Sequence, residues 1–176
     1  LLGFGEALHG GEDIMRLRNR LFQRLVEAHG YSAIAIESSY PRARLADAFV
    51  AGRGPVAYDR VKDDGFSNRF GHLDANRELA EWMRAYNADP AHALKLRFYG
   101  VDMPLVELGY ASPRQVLHFA LDYLAEIDGD RRAKRRQRID VLLGADSAWE
   151  NPAVFTDPSQ SVGISPEATA LRIETE

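Results

Sequence analysis

The sequence predicts an α/β fold: a mainly parallel sheet flanked by helices, with an inserted helical subdomain. Three observations carry that reading. Short apolar runs at residues 1–5, Ser32–Ile36 and Leu96–Tyr99 are separated by segments of helical period, the alternation expected of βαβ units. Each run leads into a carboxylate, LLGFGE at Glu6, SAIAIE at Glu37 and LRFYGVD at Asp102. Strand ends in an open α/β sheet share a crevice where ligands bind, so acids recurring there fall together in space. After Asp102 the pattern turns helical, which divides the chain into an α/β domain at 1–106 and a helical insertion at 107–176.

The elements follow in order. The first helix runs from about Glu12 to His29, with Ile14, Leu17, Leu21, Phe22 and Leu25 as its apolar stripe and Gly30 placed to end it. A second follows Glu37, with Ser39 as N-cap, Pro41 in the first turn and Ala43, Ala46 and Val50 on its buried side. From Ala51 to Phe70 the composition turns to Gly, Pro, Asp and Arg without a period, a loop of functional length. A third helix spans about His72 to Asn87. Ser112, Pro113 and Gln115 open a helix to about Ile127, and RRAKRRQRIDVLLG is a basic helix with a solvated face. Residues 145–165 read as a polar loop, and Pro166 begins a last helix. Both ends fall inside predicted elements, so the chain is expected to be a piece of a longer protein.

Composition narrows the function classes. Apolar residues make up 45% and charged residues 27% of the 176, as in ordinary globular chains. A formal charge of -4 argues against nucleic acid or an anionic membrane as partner, since either needs surplus Lys and Arg. There is no cysteine, which excludes disulfides, thiolate metal sites and a cysteine nucleophile. No run approaches about 18 apolar residues, so no membrane span is expected, and a cytoplasmic location is the expectation. Oligomeric state is left open.

Among candidate residues, His9 and Arg18 stand out. His9 lies in GEALHGG, three residues after Glu6, where glycines permit a tight turn and a close ligand. A carboxylate beside an imidazole fixes its tautomer and raises its basicity, as a general base requires. At about 100° per residue Arg18 falls roughly 40° from Ile14, inside the apolar stripe, so its guanidinium needs a partner, and Glu6 and Glu37 are the nearest acids. The competing readings are that each strand-end acid caps the following helix and that Arg18 snorkels to the helix end. On the third helix His72 and Asn76 face inward and could line the site, as could Asp102. The spacing E-x-x-H in a loop is not the H-E-x-x-H of a helical zinc site, and no phosphate-binding glycine pattern or G-x-S-x-G elbow is present, so no metal and no cofactor are expected.

These residues carry a resemblance. LGFGEALHGGEDIMRLRNRLFQRLVEAHGYSAIAIES resembles the opening of the erythromycin esterase family, with its G-E-A-x-H-G turn, R-x-R helix and strand ending in V-A-I-E. The likeness extends through NRELAEWMRAYNAD, FYGVDM and DPSQSVGISPEATALRIETE, essentially the whole chain. The resemblance implies an α/β fold with a helical insertion and metal-independent hydrolysis of a cyclic ester, with His9 matching the histidine that activates water. It further implies that Glu6 and Glu37 are acids around that site and that Arg18 is the second arginine of the R-x-R pair. Two departures stand out: Leu8 takes the place of a small or hydroxylated residue, and the part of the family holding a further site histidine has no counterpart here. Some members are associated with polysaccharide biosynthesis, so membership does not give the substrate.

The sequence thus points to an ester or macrolactone hydrolase acting on a small-molecule ester, with His9, Glu6, Glu37 and Arg18 catalytic and His72, Asn76 and Asp102 binding substrate. A non-catalytic member that binds a ligand or partner is the alternative, and a metal-dependent hydrolase is a third.

Overall fold

Helix α1 spans Glu12–His29, and Gly30 ends it in the left-handed region at φ 68°, where a residue without Cβ meets no penalty. The computed structural model describes residues 1–5, 8–102, 105–106, 109–110, 112–124 and 129–176. Two units are resolved within it, Leu1–Met103 and Pro104–Glu176, each with its own core.

In the first unit β1 (Ala33–Ser39) is followed by α2 (Tyr40–Val50), a winding segment, α3 (Asp74–Ala88) and β2 (Arg97–Asp102). The two strands pair in parallel, from Ala33 opposite Arg97 to Ile36 opposite Gly100, with an irregularity before Ser39 meets Asp102. Helix α2 packs on β2 and α3, and α1 packs on α3. A side chain at Gly100 would run into the Ser38 and Ser39 carbonyl oxygens and Ala43, so only glycine lets β2 pass this close under the turn into α2. Phe22, Phe49, Phe66, Leu79, Met83 and Phe98 form the centre of the core. Each contributes about 1.5–3 kcal/mol by leaving water.

Where a mainly parallel sheet was expected, the described residues of the first unit form this one parallel pair. Residues 1–5 form no strand and are exposed, Leu2 at 51% and Phe4 at 40%. Apolar sequence measures a preference for burial, but a strand exists through its ladder, and a run broken by Gly3 and Gly5 has weak β preference of its own. The segment 51–70 is a loop by pattern yet not peripheral. Short 3-10 turns at Tyr58–Arg60 and Phe70–His72 send Tyr58, Val61 and Phe66 into the core, and the buried Tyr58 hydroxyl donates to Gly71 O at 2.9 Å. Burial pushes the Tyr58 phenol's pKa up.

The second unit opens with a two-pair antiparallel ladder, β3 (Leu105–Val106) and β4 (Gly109–Tyr110), which the sequence pattern did not reveal. Helices α4 (Arg114–Leu124), α5 (Gly129–Leu143), α6 (Asp146–Trp149) and α7 (Pro166–Thr175) follow, with Leu121, Ile139, Leu143 and Leu171 buried among them. The basic residues of α5 are not simply solvated. Arg136 donates to Asp122 at 2.8 Å and to His118 Nδ1 at 2.9 Å, and Arg135 and Arg138 reach Glu174 of α7. Among the described residues no helix is long and apolar enough to cross a membrane.

Candidate functional site

Helix α1 sets the site by presenting two faces to two tasks. Its buried residues are Met15, Asn19, Phe22 and Val26, so the inward stripe is centred further round than the one the leucines suggested, and Leu17 and Leu21 are exposed at 51% and 36%. Glu12 and Arg16 tie the helix to α3. The Glu12 carboxylate accepts the Asp74 and Ala75 N–H groups at 2.9 and 2.8 Å, satisfying orphan donors at the N-terminus of α3. Arg16 Nε and Nη2 donate to Glu78 Oε1 at 3.2 and 3.1 Å. The hydrogen bond to Glu78 raises the Arg16 pKa above its ordinary value.

Arg18 turns the other way. Its Nη2 donates to Asn76 Oδ1 at 2.7 Å and to Asn19 Oδ1 at 2.9 Å, and its Nε reaches the same Asn19 oxygen at 3.2 Å. Both amides are themselves fixed. Asn19 Nδ2 donates to Ala75 O at 2.7 Å, and Asn76 Nδ2 to Phe70 O at 2.9 Å. The two side chains are buried at 5% and 1% exposure, so the guanidinium rests on a rigid pair of carbonyl dipoles.

His9 stands in the turn before α1. Gly10 takes φ 77°, and the Gly11 N–H donates to Leu8 O at 3.1 Å, closing that turn. The imidazole lies 6.1 Å, centroid to centroid, from the Phe70 ring, and its Nδ1 is 3.9 Å from Glu37 Oε2. At that distance the two atoms are too far apart for a hydrogen bond, and both groups are open to solvent at 70% and 46%. His9, Arg18, Glu37 and Asp102 line one cavity of about 420 Å³, whose other walls are apolar: Phe4, Ile14, Met15, Ala35, Ile36 and Val101. Strand ends, the His9 turn and α1 therefore meet at one crevice, as open α/β sheets arrange.

The remaining predicted residues divide. Glu6 lies outside the described residues. Asn76 does not line the cavity but holds Arg18, which does. His72 is placed elsewhere: it precedes α3, in the Phe70–His72 turn, and its exposed ring meets Asp63 Oδ1 at 2.8 Å. The helix that was to carry His72 inward begins only at Asp74. Phe70 and Asn19 were missed. Asn19 was discoverable, standing four residues after Met15 and three before Phe22, the spacing of one helical face. Among the described residues no three His, Asp or Glu side chains are grouped to hold a metal ion.

Residues 26–163 match the erythromycin esterase family. The chain belongs to it. The matched stretch holds Glu37, Asn76 and Asp102, while His9 and Arg18 precede it. Two solved structures have the same fold as this erythromycin esterase family chain. A protein from Bacillus cereus aligns at a TM-score of 0.65 with 19% identity, covering 97% of this chain and 44% of its own length. A succinoglycan biosynthesis protein aligns at 0.65 with 18% identity, covering 92% and 36%. The family chain thus spans less than half of either structure.

Proposed function

We propose that this chain carries the water-activating part of a carboxylic-ester hydrolase acting on an ester or macrolactone. The observation behind the reading is the shared cavity of His9, Glu37, Arg18 and Asp102. Neutral His9 takes a proton from water as its oxygen attacks the ester carbonyl carbon. The carbonyl oxygen then carries the negative charge, and Arg18 offers donors to it from a site whose apolar walls strengthen the attraction. The imidazolium so formed faces the Glu37 carboxylate and returns its proton to the leaving alkoxide, giving acid and alcohol. Glu6, three residues before His9, is proposed to orient the imidazole, and Asp102 to bind a hydroxyl of the substrate. Leu8, exposed at 67%, adds apolar surface next to His9 in the chain.

The test is a screen of esters and lactones, macrolide rings included, against the chain and its His9→Ala variant. Positioned general bases contribute about 10²–10⁴-fold, so hydrolysis should drop by that factor while circular dichroism is unchanged. Full turnover by His9→Ala would sink the proposal. Water activation by His9 needs no metal, so activity should survive chelation; loss restored by zinc or manganese would put a metal-dependent hydrolase in its place. A second reading is a member that binds the ester without turnover, favoured by the chain's covering less than half of each solved relative. Saturable binding of a lactone without hydrolysis would select it.

A further inference from the structure

Asn68 and Arg69, neither of them glycine, take left-handed backbone at φ 54° and 58° directly before Phe70. Asparagine visits that region with little penalty, whereas arginine does so against a clash of its Cβ with the following carbonyl oxygen. Strain of this kind persists only where the surroundings over-determine it, and it clusters at functional sites. Both flanks of the pair are held. On one side Ser67 is bonded through hydroxyls to Ser38 and Ser39 at the end of β1. On the other, Phe70 O accepts from Asn76 Nδ2 and Gly71 O from the Tyr58 hydroxyl, each at 2.9 Å. The Phe70 N–H donates to Ser67 O at 3.0 Å and closes the turn.

What this turn fixes is the Phe70 ring. The ring packs against the core and lies 6.1 Å, centroid to centroid, from the His9 imidazole at a tilt of 45°, within the range of interacting aromatic pairs, about 4.5–7 Å. Phe70 does not line the cavity that His9 does, so it bears on the imidazole rather than on a molecule seated there. The His9 side chain is 70% exposed, and an exposed side chain exchanges rotamers within nanoseconds. A general base must instead sit within hydrogen-bond reach of its water, and a displacement of about 1 Å can cost about 10²-fold. We propose that Phe70 is a positioning residue: the strained turn holds its ring against His9 and so confines the imidazole to the cavity, with Nδ1 toward Glu37. The catalytic part of this proposal rests on the hydrolytic reading of His9; the orienting part does not.

NMR on the 176-residue chain tests the orienting part without substrate. Cross-relaxation between His9 and Phe70 ring protons is expected in wild type, where the His9 signals are those lost in His9→Ala. Phe70→Leu keeps apolar bulk against the core and removes the ring, so the His9 resonances should shift and the imidazole should become more mobile by carbon relaxation. Phe70→Tyr keeps the ring and should retain the wild-type behaviour in both. On an ester found in the screen above, Phe70→Leu should lower kcat about 2–10-fold, the scale of an aromatic pair, with KM unchanged, and Phe70→Tyr should recover it. A ring that only filled the core would lower the melting temperature in Phe70→Leu and leave His9 mobility and kcat alone, which would overturn the proposal. Absent cross-relaxation in wild type, or Phe70→Tyr as impaired as Phe70→Leu, would overturn it too. If wild type turns over no ester, the hydrolytic reading falls, while His9 mobility still decides the orienting role.

Discussion

Arg18 Nη2 on α1 meets Asn76 Oδ1 on α3 at 2.7 Å, which places a cation at the cavity wall by means of a buried neutral amide. The amide satisfies a donor of the guanidinium and fixes its orientation at the cavity wall.

Asn76→Leu should therefore do two things. It removes one of the Arg18 acceptors and leaves Phe70 O without the Asn76 donor, at a cost of about 1–3 kcal/mol in urea unfolding. It should also loosen Arg18 and Phe70, lowering kcat more than it raises KM. A variant with wild-type kcat would show that the amide serves stability alone.

The two arginines of the R-x-R pair should separate cleanly. Arg16 bridges α1 to Glu78, whereas Arg18 lines the cavity. Arg16→Gln should leave hydrolysis within a few-fold of wild type, and Arg18→Gln should lower it by about 10²–10³-fold, the loss expected on removing an oxyanion donor. Equal losses from both would refute the division of labour.

What could be read in the sequence and what could not follow from range. Helix α1 ends at Gly30, and α2 starts after Ser39 with proline in its first turn, because these boundaries are set by residues next to one another in the chain. Parallel pairing of the runs at Ala33 and Arg97 was also legible. The strand expected at residues 1–5 was not realised, since pairing depends on a partner that no local pattern reports. The same limit applied to the site. Arg18 was singled out because a charge near an apolar stripe is anomalous by itself, but its partners Asn19 and Asn76 depend on how α1 and α3 meet. His72 was misplaced by one boundary, because a helix starting at Asp74 rather than His72 leaves the ring on a preceding turn facing Asp63.

The reach of the 51–70 segment into the site rests on a reciprocal pair of buried hydroxyls. Ser39 N–H donates to Ser67 Oγ at 2.9 Å, and Ser67 N–H to Ser38 Oγ at 2.8 Å. Ser67→Ala should leave the Ser39 N–H buried without its acceptor, costing about 1–3 kcal/mol. The loop end that carries Phe70 should then exchange its amide protons faster. Unchanged stability would mean that another acceptor reaches Ser39, and Ser67→Thr, which keeps the hydroxyl, should recover part of the loss.

Acid should weaken the second unit through Asp146. Ser112 Oγ donates to its carboxylate at 2.6 Å and Arg114 Nε at 2.9 Å, and these two bonds, the serine first, hold its pKa below the ordinary carboxylate value. A depressed folded pKa means that the unfolded chain binds the proton more readily. The stabilisation is complete above the unfolded value of about 3.9 and disappears as pH falls through the lower folded value. Wild type should melt higher than Asp146→Asn at pH 7, and the two curves should converge below about pH 4. Ser112→Ala should narrow the gap at pH 7, because it removes the larger cause of the shift. A gap that persists undiminished to pH 2 would show that the carboxylate's charge contributes nothing and that the asparagine is unfavourable on shape alone.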